Sequence, residues 1–299
     1  MRGIGPEIAA AATQRMRAER DVTFVFIGPS GTPEFGNDLI SVGEWRSRSI
    51  PQAGKLAGAA IEAAVELALK GEVDGIVTAP IDKYALYAGG YEFPGHTEML
   101  AALAHAPAVA MLMAAERTAL GGALRVVLAT THLRLADVPG AVTTVLLVEQ
   151  SLLAHEALRC SWQIAQPRLA LCALNPHASD GGLFGDEEAR IMEPAIAQLT
   201  RLGVDIRGPV PADTVFVRTV HGEFDAVIAP YHDVGMAAFK TASFGQGVNV
   251  TLGLPFVRTS PDHGTAIDIA GKGRADSSSM EEAIRLAIRL AKRGAEARQ

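Results

Sequence analysis

Three histidines stand at the ends of short apolar runs: His132 after Leu128-Ala-Thr-Thr, His177 after Leu174-Asn-Pro, and His232 after Ile228-Ala-Pro-Tyr. Runs this short and this rich in Val, Leu and Ala predict buried parallel strands, each handing one imidazole to its C-terminal end. In open α/β sheets ligands bind at that edge. Three neutral imidazoles meeting there can hold a divalent ion and leave a coordination position for substrate. A single histidine after a strand is more often an ordinary structural residue; the same context repeated three times favours the ion.

Other polar residues suit an anionic ligand. Pro94-Gly-His96-Thr97-Glu98 sets an imidazole and a hydroxyl just before a helix predicted from about Glu98, where backbone N–H groups attract an anion. Thr97 equally suits an N-cap. Lys240, Asn249 and Arg258 form a second set. Arginine offers a planar two-point contact to phosphate or carboxylate, lysine a point charge, and a buried strand amide needs partners. The glycine-rich turn from Ser179 to Gly185 leads into a helix predicted over Asp186–Leu202. Its first-turn acids Asp186, Glu187 and Glu188 complement the helix dipole and repel phosphate.

The elements that must position these side chains follow from apolar patterning. Strands are predicted at Val22–Ile27, Gly75–Thr78, Val109–Met113, Arg125–Thr130, Leu169–Leu174, Ala226–Pro230 and Val248–Leu252, with helices at Leu56–Lys70, Val142–Ala157, Asp186–Leu202 and Met280–Arg293. Such alternation predicts an α/β fold with a mainly parallel sheet covered on both faces. A first lobe is expected from residues 1–110 with 265–299, and a second from 111–264 carrying the three histidines.

Composition excludes several classes. The chain has 299 residues, 48% of them hydrophobic, and 33 acidic against 27 basic residues give a net charge of −6 without a basic arm. Nucleic acid is not an expected partner. Glu7, Gln14, Arg15 and Arg17 interrupt the Ala-rich start before a signal-peptide core forms, so an amphipathic helix is expected there. No apolar stretch approaches the ~20 residues of a membrane span. Two cysteines, Cys160 and Cys172, make no disulfide framework, which suits a reducing cytoplasm.

The segment from Asp262 to Gly273 resembles the cofactor-contacting loop of the isocitrate and isopropylmalate dehydrogenase superfamily, and no G-x-G-x-x-G fingerprint occurs. With it go Gly3-Ile-Gly-Pro-Glu7, Thr78-Ala-Pro-Ile-Asp-Lys83, Pro94-Gly-His-Thr-Glu98, Asn175-Pro-His-Ala178, Pro211-Ala-Asp-Thr214, Tyr231-His-Asp233 and the stretch Gly247–Pro255. Together these resemble the 4-hydroxythreonine-4-phosphate dehydrogenase family of that superfamily. The resemblance implies an α/β/α sandwich of two lobes with a cleft between them, and a homodimer with the active site at its interface. It implies one divalent ion per subunit, zinc, magnesium or cobalt, held by His132, His177 and His232.

By the same resemblance His96, Thr97, Lys240, Asn249 and Arg258 bind a small phosphorylated hydroxy amino acid, and His263, Gly264, Thr265 and Asp268 contact NAD or NADP. Asp213 and Asp233 are candidates for the general base, or orient a ligand imidazole. The implied reaction is NAD(P)-dependent oxidation of 4-phosphooxy-L-threonine followed by loss of carbon dioxide, in vitamin B6 biosynthesis. A relative acting on 4-phosphoerythronate, phosphothreonate or a cis-diol, and a catalytically weakened protein, are the alternatives. Met236 and Phe244-Gly-Gln-Gly247 favour the vitamin B6 branch.

Two departures carry expectations of their own. The family opens with a short strand ending in Gly-Asp-Pro ahead of Gly-Ile-Gly-Pro-Glu, whereas this sequence starts at Met1-Arg2-Gly3. The expectation is a sheet short of one strand, or a start at the wrong methionine. Val234 stands where the family usually has Gln, which removes one hydrogen bond beside the site.

Overall fold

The computed structural model describes residues 2–17, 22–32, 39–46, 49–243 and 245–296. Along the chain run α1 (Gly5–Met16), β1 (Phe26–Ser30), β2 (Leu39–Glu44), α2 (Ile50–Leu69), β3 (Gly75–Val77), α3 (Lys83–Ala88), α4 (His96–Leu103), β4 (Ala110–Ala115), β5 (Leu124–Leu128) and α5 (Val138–Ala141). There follow α6 (Thr144–Cys160), β6 (Arg168–Cys172), α7 (Glu193–Arg201), β7 (Asp205–Val210), α8 (Ala212–Val220), β8 (Ala226–Ala229), α9 (His232–Ser243), β9 (Val248–Leu252), β10 (Val257–Pro261) and α10 (Ser278–Glu296). These group into two compact units, Met1–Pro107 with Leu254–Ala291 and Ala108–Gly253 with Lys292–Gln299.

In the second unit the strands lie in the order β9-β4-β5-β8-β6-β7. β8 is parallel to β5 on one side and to β6 on the other, and β6 is parallel to β7. Every residue of β5 and β8 is buried, as strands covered on both faces require. Val126, Leu128, Ala170, Cys172, Val227 and Ala229 pack against Val215 and Phe216 of α8 and Phe239 of α9.

β4 departs from the expected parallel pattern, being antiparallel to both β5 and β9. A parallel return needs a crossover of about a dozen residues or more. The short link from β4 to β5 instead folds back on itself, with the Thr118 N–H and hydroxyl both donating to Gly122 O at 3.0 and 2.8 Å.

In the first unit β3 is parallel to β10, with Val257 opposite Gly75 and Thr259 opposite Val77. Ile4, Ile8, Ala12 and Met16 of α1 pack with Met280 and Ile284 of α10. Ile61 and Val65 of α2, Ile76 of β3 and Met99 and Leu100 of α4 form a second cluster. α1 confirms the amphipathic start, while the strand expected at Val22–Ile27 begins only at Phe26 and pairs with β2.

The pairing of β10 with β3 moves the chain's return to the first unit from the expected residue 265 to Leu254, so Arg258 belongs to the first unit. The segment after Ala291 leaves it again. There Arg293 Nη1 donates to Trp162 O at 3.0 Å and Gln163 Nε2 donates to Arg293 O at 3.2 Å. Among the described residues no helix is long and apolar enough to cross a membrane.

Phe239, fully buried, fixes the helix that starts at His232 against the sheet. Phe239→Ala is expected to cost about 3–5 kcal/mol in a urea unfolding experiment. A loss below about 1 kcal/mol would show that α9 is held by other contacts.

Candidate active site

The parallel register of β5 with β8 sets Leu128 opposite Ala229. Two further bonds extend it: Ala129 N–H donates to Ala229 O at 2.9 Å, and the buried Thr130 hydroxyl donates to Pro230 O at 2.8 Å. Beyond these bonds His132, on the segment after β5, and His232, at the start of α9, face each other with ring centroids 5.6 Å apart at 41°. His232 Nδ1 is hydrogen-bonded to Asp233 Oδ1 at 2.7 Å. That bond orients the ring and turns Nε2 into the nitrogen that could ligate an ion, as a carboxylate behind a metal-binding histidine does. Thr131, His132, Leu133, Leu135, Val138, Tyr231, His232 and Asp233 wall a pocket of about 220 Å³.

The donor set fits an ion. Two imidazoles bound through nitrogens at about 2.0–2.1 Å to one tetrahedral ion place their centroids about 5–6 Å apart, the spacing of this pair. Asp213 is not among the residues that wall the pocket; it is exposed in the first turn of α8. Val234 packs against the core beneath α9, so apolar contact replaces the hydrogen bond a glutamine would make.

β6, the strand before His177, lies beside β8 and parallel to it, so all three histidine-bearing strands end at one edge. His177 itself lies on a backbone turn of rare hand: φ is positive at His177 (51°), Ala178 (55°), Ser179 (66°), Asp180 (45°), Gly181 (69°) and Gly182 (96°). Each L-residue in that region costs roughly 1–2 kcal/mol, so the turn needs outside support.

Glu188 supplies it. Its side chain accepts from Leu174 N–H at 3.0 Å, Asn175 N–H at 2.7 Å, Asn175 Nδ2 at 2.9 Å and the Ser179 hydroxyl. Burial pushes the Glu188 carboxyl up, but the Ser179 and Asn175 hydrogen bonds outweigh it and hold the group below the usual carboxylate range. Sequence reasoning saw Glu188 only as a dipole-complementing acid. The missed signal is its spacing, since it falls on the helical face of Ile191, Met192, Ala195 and Leu199, all buried. Among the described residues of one chain, no group of three or more His, Cys, Asp and Glu side chains is close enough to hold an ion.

The expected substrate set divides between the units: His96, Thr97 and Arg258 in the first, Lys240 and Asn249 in the second. Arg258, 2% exposed on β10, donates from Nη2 to Thr78 Oγ1 at 2.6 Å. Burial pulls its guanidinium down to about 10, with Glu98 opposing, so it stays charged at neutral pH. Burial, with Arg258 and Lys83 adding, pulls the His96 imidazole down to about 3. A fixed cation and a neutral imidazole thus meet at the N-terminus of α4, an anion-favouring place. That helix begins at His96 with Gly95 as its cap, two residues earlier than expected, so Thr97 is not the N-cap. Thr78 and Lys83, quoted in the sequence only for their motif, join this cluster.

In the second unit Lys240 is exposed on α9, and Asn249 on β9 has a buried Oδ1 without a hydrogen-bond partner. His263, Gly264, Thr265 and Asp268 lie on the irregular loop after β10. The loop is tied to the start of α1 by Ile4 N–H donating to Thr265 O at 2.9 Å. His263 Nδ1 pairs with Gly264 O at 3.1 Å, while its Nε2 is buried and without a hydrogen-bond partner. An orphaned ring nitrogen on such a loop fits a bound cofactor. Phe244 lies outside the described residues.

The model of the family described as "Pyridoxal phosphate biosynthetic protein PdxA" matches residues 18–287. A 4-hydroxythreonine-4-phosphate dehydrogenase of Beijerinckia indica is 51% identical over 238 residues, covering 80% of this chain and 68% of that protein. One of Geobacter metallireducens is 41% identical over 321 residues, covering 97% and 93%. The crystal structure of a 4-hydroxythreonine-4-phosphate dehydrogenase from Burkholderia phymatum matches with a TM-score of 0.82 at 36% identity, over 97% of this chain and 95% of that one. The chain therefore belongs to the PdxA family, oxidoreductases of vitamin B6 biosynthesis that act on a CH–OH group.

Proposed function

We propose that this chain oxidises 4-phosphooxy-L-threonine to 2-amino-3-oxo-4-phosphooxybutanoate with NAD or NADP, the product losing carbon dioxide to give 3-amino-2-oxopropyl phosphate. The observation that carries the reading is the facing pair His132 and His232, with Asp233 behind His232 Nδ1. His132 and His232, with His177 as the third ligand, hold one divalent ion: zinc, cobalt or magnesium. When bound, such an ion makes a hydroxyl easier to deprotonate and stabilises the electrons released on decarboxylation. His263, Gly264, Thr265 and Asp268 hold the nicotinamide cofactor, which accepts the hydride.

The remaining work belongs to the protein's own side chains. Arg258, buried and charged, binds an anionic group of the substrate by charge-assisted hydrogen bonds. His96, kept neutral beside it, adds a hydrogen bond without a second charge. Thr97, Lys240 and Asn249 complete the substrate set. Asp233 orients His232, and Asp213 remains a candidate for moving the hydroxyl proton. The active form is a homodimer in which a second copy completes the site. The buried cation and neutral imidazole favour a phosphorylated acid over an uncharged cis-diol.

Absorbance of the reduced nicotinamide, followed with 4-phosphooxy-L-threonine and an added divalent ion, tests the reading. Ion-dependent turnover is expected. His232→Ala is expected to abolish it while leaving the circular-dichroism spectrum unchanged, and full turnover in the ion-stripped variant would contradict the assignment. Asp233→Asn, which keeps the shape and removes the charge, is expected to weaken ion binding by about 10–100-fold, measured by chelator competition.

The depressed His96 predicts a pH dependence. Between about pH 3 and 6.5 the unfolded chain holds a proton on this residue that the folded chain does not, so His96 makes stability fall as pH drops through that window and has no effect above it. An NMR titration is expected to show no His96 midpoint between about pH 8 and 5. A midpoint near 6.5 would contradict the buried neutral state.

A further inference from the structure

Glu188 takes no part in the chemistry proposed above, yet its carboxylate gathers donors from both sides of His177. Leu174 and Asn175 precede the left-handed turn and Ser179 lies within it, and all three donate to this one group. Four residues with side chains, His177, Ala178, Ser179 and Asp180, adopt positive φ in succession. Local preference opposes such a run, so surrounding contacts must determine it. A carboxylate 2% exposed in turn needs donors in place of water, so turn and carboxylate stabilise each other. Because Glu188 shares a helical face with buried Ile191, Met192, Ala195 and Leu199, the turn is braced on the packed helix behind it.

We propose that Glu188 is the positioning residue for His177, a clamp that fixes the left-handed turn so that the imidazole is presented to the ion. Four donors occupy its side chain, so it acts through the loop and not as a ligand. The inference rests on reading His177 as an ion ligand, and the test separates the two.

Cobalt(II) is titrated against a competing chelator with the purified full chain, following visible absorption, for the wild type and for His177→Ala, Glu188→Ala, Glu188→Gln and Ser179→Ala. Thermal unfolding is recorded for each without the ion. His177→Ala and Glu188→Ala are expected to weaken cobalt binding by about 10–100-fold and to change the absorption band. Glu188→Gln keeps one acceptor oxygen for the two N–H groups and is expected to fall between them and the wild type. Ser179→Ala, which removes one donor, is expected to weaken binding while the ion-free Tm stays near the wild-type value. These variants keep the test decisive if Glu188→Ala fails to fold. Loss of binding in His177→Ala, with wild-type affinity in Glu188→Gln and Ser179→Ala, overturns the clamp and leaves the ligand assignment intact. Wild-type affinity in His177→Ala overturns the ligand assignment and the clamp with it.

Discussion

The parallel pairing of β8 with β5 on one side and β6 on the other is the constraint on which the rest depends. Because all three strands run the same way, the segments that carry His132, His232 and His177 emerge at one edge. The β5–β8 register then does the finer positioning. It is locked past the strand ends by Ala129 and Thr130 bonding to Ala229 and Pro230, so the segment after β5 and the start of α9 hold their imidazoles at a spacing suited to one ion. A one-residue slip would turn every inward side chain of β5 outward. The burial of both faces makes that slip too costly, so the histidine pair inherits its precision from the core.

The two units solve different electrostatic problems. In the second, two facing imidazoles with a carboxylate behind one of them form the place proposed for a cation. In the first, Arg258 is buried as a cation and His96 is held neutral beside it, an arrangement that suits the proposed anion. Taking a guanidinium out of water is unfavourable on its own, and the Thr78 hydroxyl meets part of that cost. A phosphate or carboxylate arriving there meets a charge that bulk water does not screen.

Much of this was legible in the sequence because the decisive segments are apolar and short. β9 was read at its observed bounds, and β5, β6 and β8 within a few residues, since Val, Leu, Ile and Ala runs buried on both faces leave little choice. β10 was not read, because Val257-Arg-Thr-Ser-Pro261 is polar and follows Pro255; its pairing with β3 is a long-range contact that local pattern does not carry. β7 was missed for a similar reason, its Gly208-Pro209 breaking the pattern. The reversal of β4 followed from a link too short for a crossover, a clue present in the residue count. Glu188 was hidden by its type: a carboxylate reads as solvent-facing, although its spacing with Ile191, Met192, Ala195 and Leu199 sets it on the buried helical face. His177's left-handed backbone had no signature beyond the two glycines that end the turn.

Crystals grown with zinc, with data collected on both sides of the zinc absorption edge, show whether one ion sits between the paired imidazoles, because anomalous scattering locates it without reference to activity. An anomalous peak is expected within bonding distance of the ring nitrogens of His132 and His232, with Asp233 still on His232 Nδ1. A zinc peak elsewhere, with the His132 and His232 rings left uncoordinated, would contradict it.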